Sequence, residues 1–107
     1  MSAEIATGIT EDPLDAAALI NSARRDTCGD VASFIGAVRN HDGGESVDAI
    51  EYSSHPSSPQ ILREIVSEMR DRPGVHCIVA WHRVGRLEIG DDAMVVAVAA
   101  EHRAQAF

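Results

Sequence analysis

The sequence predicts an α+β fold, a mostly antiparallel sheet with helices packed on one face, forming a single domain over residues 1–107. Three observations carry that prediction. Residues 30–38 and 93–100 are apolar, nearly uncharged runs with the composition of strands covered by protein. Ile61, Leu62, Ile65, Val66 and Met69 recur at helical spacing opposite Arg63, Glu64, Glu68 and Arg70. The order of elements, β-α-β-β-α-β-β, suits helices laid on a sheet rather than a barrel or a bundle.

Taken in order, residues 4–10 (EIATGIT) form a short strand, and Asp12-Pro13 supplies an N-cap and a first-turn proline for a helix reaching about Arg25. Residues 30–38 (DVASFIGAV) form the next strand. Residues 40–46 (NHDGGES) read as a turn, and residues 47–54 return as an extended hairpin partner of the strand before it. Ser57, Ser58 and Pro59 open the second helix, which Pro73-Gly74 stops. Residues 75–84 alternate Val75, Cys77, Val79 and Trp81 with His76, Ile78, Ala80 and His82, a strand with one apolar and one mixed face. Residues 85–92 form a bend. Residues 93–100 (AMVVAVAA), the most apolar stretch, form the central strand, and residues 101–107 (EHRAQAF) begin a further helix.

Composition narrows the function. The formal charge is −8, from 17 acids against nine bases, which weighs against nucleic acid or anionic lipid as partners. All nine bases are arginine. Cys28 and Cys77 form no CxxC pair and read as reduced thiols of a cytoplasmic protein. No basic and then apolar leader opens the sequence, and no apolar run has the length of a membrane span. Neither a P-loop nor a GxGxxG is present, and His41, His55, His76 and His82 lack zinc-site spacing, so no cofactor or metal is expected.

The informative cations are Arg39 and the His102-Arg103 pair, placed where two apolar strands give out. Arg103, at the opening of a helix, opposes the helix dipole unless an anion is bound there. A guanidinium beside free N–H groups forms a planar, convergent phosphate site. The plainer alternative is a surface ion pair with Glu101 or another acid. His102 could donate to the same ligand. Arg39 precedes a glycine-containing turn whose backbone can approach a ligand closely; its plainer alternative is a solvated charge at a strand end. Joint occurrence favours a shared anion pocket, provided both strands lie in one sheet with these ends together. Trp81 and Tyr52 read as core or interface aromatics, and a nucleophilic role for either thiol is the minority reading.

Three motifs in order, SFIGAVRNHDGG (33–44), HRVGRLEIGD (82–91) and EHRAQAF (101–107), resemble the large, catalytic subunit of molybdopterin synthase, over about residues 28–107. The resemblance implies an α+β sandwich and a sulfurtransferase of molybdenum cofactor biosynthesis. Such a subunit converts cyclic pyranopterin monophosphate into molybdopterin with sulfur carried as a thiocarboxylate on the C-terminal Gly-Gly of a small ubiquitin-like subunit. It also implies a homodimer within a heterotetramer. By the same resemblance, Ala37, Val38, Arg39, His102 and Arg103 line the pterin-phosphate pocket, where the arginines fix the phosphate and orientation supplies much of the catalysis.

Two departures stand out. Ala37 occupies a position where the family often has lysine, and the family continues past the equivalent of Phe107 through a segment bearing its catalytic lysines. On that ground the chain is expected to be an inactive form lacking the family's C-terminal segment, whether a truncated product, a natural fragment or a diverged paralogue. The competing expectation of another class is a binding or dimerisation module of the same fold. A general binder of phosphate ligands is the third.

Overall fold

A computed structural model describes residues 3–39, 41–42, 45–46, 49–52 and 58–107. Its centre is a four-stranded sheet of β1 (Glu4–Thr10), β2 (Asp30–Ala37), β6 (Val75–Arg83) and β8 (Asp92–Ala100), in the order β1-β6-β8-β2. β6 runs antiparallel to β8, and β8 antiparallel to β2, while β1 lies parallel to β6. The expected mostly antiparallel α+β sheet is therefore present, with residues 93–100 in an interior strand as the apolar run required.

The expectation that helices cover one face is corrected. α1 (Ala16–Ala23) sets Leu19, Ile20 and Ala23 against Cys77, Val79, Ala97 and Ala99. α2 (Ser58–Ser67) and α3 (Arg103–Ala106) place Leu62, Val66 and Ala106 among Ile78, Ala80, Val96 and Val98 on the opposite face. The cause is the side-chain alternation of β6 and β8: Cys77 and Val79 point one way, Ile78 and Ala80 the other, and all four are buried. Both faces are apolar, so both need covering.

Other boundaries shift for local reasons. The N-cap of α1 is Asp15, whose Oδ1 accepts the Ala18 N–H at 3.0 Å; Asp12 instead donates its backbone N–H to Thr10 Oγ1 at 3.0 Å. The stripe of α2 is only half used: Leu62 and Val66 turn inward, while Ile61, Ile65 and Met69 stay exposed. β5 (Ala49–Tyr52) pairs antiparallel with β7 (Gly85–Glu88), not with β2, so residues 85–88 of the expected bend are a strand. β3 (His41–Asp42) and β4 (Glu45–Ser46) pair within the expected turn, of which Asn40, Gly43 and Gly44 lie outside the described residues. Val47, Asp48, Ser53 and Ser54 of the expected hairpin strand, His55, and Ser57 of the expected helix start lie outside them as well.

Gly8 shows how tightly β1 meets β6. It pairs with Trp81, and a Cβ added there would come within 2.4 Å of the indole ring. The absence of a side chain thus lets the ring lie flat over the strand, against the Leu19 and Ile20 cluster. None of the described helices is long and apolar enough to cross a membrane.

Candidate functional site

The β2–β8 ladder decides where the arginines stand. Ala37 pairs with Asp92 and Asp30 with Ala100, so Ala37, Val38 and Arg39 leave the ladder at one end and His102 and Arg103 at the other. At roughly 3.3 Å per residue, the ends are about 25 Å apart. The expected shared pocket does not form within one chain. The cause is the antiparallel register: both residues follow the C-terminal ends of their strands, and antiparallel neighbours place those ends opposite each other.

At the first end the backbone is tightly fixed. The Val38 N–H donates to the Asp91 carbonyl at 3.0 Å, and the Gly90 N–H donates to the Val38 carbonyl at 2.9 Å. Val38 is buried with Leu87 and Ala93, whereas Ala37 and Arg39 are exposed. Gly90 has φ +88°, a conformation that favours glycine and makes the turn possible. Asp91 closes the turn: its Oδ2 accepts the Glu88 N–H at 2.9 Å and Arg83 Nη1 at 3.3 Å. Arg83 is 15% exposed and also donates through Nε to the Glu11 carbonyl. Arg39 thus projects from a rigid frame whose neighbouring cation, Arg83, is already committed.

The second end is built differently. Glu101 donates its N–H to the Gly74 carbonyl at 2.9 Å, and its Oε2 lies 3.0 Å from His76 Nε2. His76 Nδ1 lies 3.0 Å from Thr27 Oγ1. His102 and Arg103 follow immediately and are exposed, and the Arg103 carbonyl accepts the Phe107 N–H at 3.1 Å. A cavity of about 710 Å³ opens beside Thr27, His76 and Glu101, lined also by Glu4, Arg25 and Arg72; His102 and Arg103 do not line it. Arg25 is bound to Glu4 at 2.7 Å there.

Neither the Arg83–Asp91 pair nor the Thr27–His76–Glu101 chain was found from the sequence, because each joins segments that only the strand register brings together. The one local signal was the Gly90-Asp91 dipeptide, which has turn chemistry. Of the remaining candidates, Cys77 is buried and burial pushes its thiol pKa up, opposed by Arg25, which makes it a poor nucleophile. Trp81 belongs to the cluster under α1, as a core aromatic should. Among the described residues, no group of three or more His, Cys, Asp or Glu is arranged to hold a metal ion.

Comparison with known proteins agrees with this architecture. The molybdopterin synthase catalytic subunit of Escherichia coli K12 is 41% identical over 86 residues, covering 79% of this chain and 57% of its own length. The solved MoaE protein of Burkholderia ambifaria superposes with a TM-score of 0.84 at 33% identity, covering 96% of this chain and 69% of that one. A Helicobacter pylori complex of subunits 1 and 2 of molybdopterin-converting factor matches with a TM-score of 0.70 over 96% of this chain and 68% of its own; at 20% identity this is a likeness of fold. The chain therefore spans just over half the length of the Escherichia coli relative. The MoaE protein family model matches residues 9–107, nearly the whole chain, and the chain belongs to that family.

Proposed function

We propose that the chain serves a molybdopterin synthase as its catalytic subunit, holding cyclic pyranopterin monophosphate while sulfur arrives on the thiocarboxylated tail of a small carrier protein. The observation that carries this reading is the 41% identity to the Escherichia coli catalytic subunit, within a family match that spans residues 9–107. The Helicobacter pylori neighbour, itself a two-subunit complex, supports the small partner. We place the chain in the cytoplasm, a setting that would keep Cys28 and Cys77 as free thiols.

In this reading Arg39, His102 and Arg103 bind the substrate phosphate, with the Ala37–Val38 backbone beside it, and they do so across two copies of the chain. β2 is an edge of the four-stranded sheet, and Phe34 and Ile35 at its centre are 61% and 45% exposed. Among the described residues no strand pairs with the outer side of β2, and an edge with apolar side chains at its middle invites strand addition. Two β2 strands paired antiparallel about a two-fold axis near Phe34 would set Arg39 of one copy beside Asp30 of the other. Asp30 pairs with Ala100, just before His102 and Arg103. The composite cradle would then hold the phosphate with charge-assisted bonds and leave the pterin facing the carrier tail.

Arg39→Ala and Arg103→Ala should each weaken cyclic pyranopterin monophosphate binding at least about tenfold, as expected for loss of a charge-assisted contact, with unchanged circular dichroism. Wild-type affinity in both variants would defeat the reading. The exposed apolar residues of the β2 edge equally suit a second reading, a binding and dimerisation module of the same fold. Incubation with thiocarboxylated carrier separates the two: molybdopterin formation supports the enzyme, and binding without turnover supports the module.

A further inference from the structure

The residue that hands β8 over to α3 is held from two directions and closely approached from a third. The Glu101 N–H is bound to the Gly74 carbonyl, before β6. Its carboxylate meets His76, the second residue of β6. Its carbonyl faces the α1–β2 loop, where a Cβ on Gly29 would lie 3.3 Å from the oxygen. The proton arrangement of the side-chain chain follows from donor and acceptor capacity. An ionised carboxylate only accepts, so His76 Nε2 carries the hydrogen toward Glu101; in the neutral ring Nδ1 then accepts from the Thr27 hydroxyl. Thr27 and Glu101 are exposed and His76 is half-buried, so this side-chain chain adds little to stability and acts chiefly on the geometry just beyond Glu101. What lies beyond it is His102 and Arg103.

We propose that Thr27, His76 and Glu101 form a positioning relay that aims His102 and Arg103, so that the α1–β2 loop tunes phosphate affinity without touching the ligand. This rests on the reading of Arg103 as a phosphate ligand. Glu4, Arg25, Asp71 and Arg72 line the same cavity as the relay. Arg25 is bound to Glu4 and to the Ser22 and Arg24 carbonyls, and Thr27 is the hydroxyl partner of His76.

The test is a double-mutant cycle on the 107-residue chain, with cyclic pyranopterin monophosphate as the titrated probe. Thr27→Val removes the hydroxyl and keeps the shape; it should weaken binding about threefold, the loss expected for one hydrogen bond, with an unchanged melting temperature. Thr27→Ser should restore the affinity. Adding Thr27→Val to Arg103→Ala should cost nothing further, because the relay acts through Arg103. If Arg103→Ala weakens binding while Thr27→Val binds like wild type, or if the two losses add in full, the relay is overturned and the phosphate reading stands. If Arg103→Ala itself binds like wild type, the phosphate reading falls and takes the relay with it.

Discussion

The two ends of the β2–β8 ladder present cations in contrasting ways. At the Arg39 end the supporting bonds are mostly backbone to backbone, through Val38, Gly90 and Asp91, and the frame is partly buried. At the Arg103 end the support is a side-chain chain of exposed and half-buried groups, ending in a four-residue helix. A backbone frame fixes position and resists small changes of solvent. A side-chain chain can be adjusted by one hydroxyl or one carboxylate. One cation site is therefore framed by backbone bonds and the other by side-chain bonds, at opposite ends of the same ladder.

That contrast can be broken by substitution. The larger effect belongs to Asp91→Ala, which removes the acceptor for both the Glu88 N–H and Arg83 and should cost about 1–2 kcal/mol in chemical denaturation. Glu101→Ala removes one exposed pairing with His76 and should cost less than about 1 kcal/mol. A reversed order would show that the Arg103 end is the firmer one. A smaller effect comes from beneath the Arg103 end, where β6 carries Cys77 beside His76. Burial raises the Cys77 thiol, so the folded chain keeps its proton to higher pH than the unfolded chain does. Its contribution is fully present below the ordinary thiol range and is lost as pH rises through that range toward the folded value. The denaturation midpoint should therefore fall in mildly alkaline buffer, and Cys77→Ala should flatten the decline.

Much of this architecture was legible in the residues. The apolarity of residues 93–100 marked an interior strand, and the spacing of Leu62 and Val66 marked a helix that packs. The cations were legible as candidates because Arg39, His102 and Arg103 each follow a strand that has run out. Their relation was not legible. Which strands are neighbours, and in which direction they run, is set by long-range pairing, and antiparallel pairing of β2 with β8 sends the two arginines to opposite ends. The same limit hid the pairing of β5 with β7, since a hairpin between sequence neighbours is the local expectation. It also hid the cover on the second face: the alternation of β6 was visible, but Ile78 and Ala80 read as a mixed face beside His76 and His82 until α2 was seen above them.

If one phosphate cradle draws Arg39 from one copy and His102-Arg103 from another, as proposed, mixing two defective variants should rebuild it. Arg39→Ala and Arg103→Ala chains, each binding at least about tenfold more weakly than wild type, are unfolded together and refolded as a mixture before titration with cyclic pyranopterin monophosphate. Mixed dimers would then carry one cradle with both lesions and one with neither, so high-affinity capacity should return to about a quarter of the wild-type site number. A mixture that binds no better than its separate components would contradict the shared cradle.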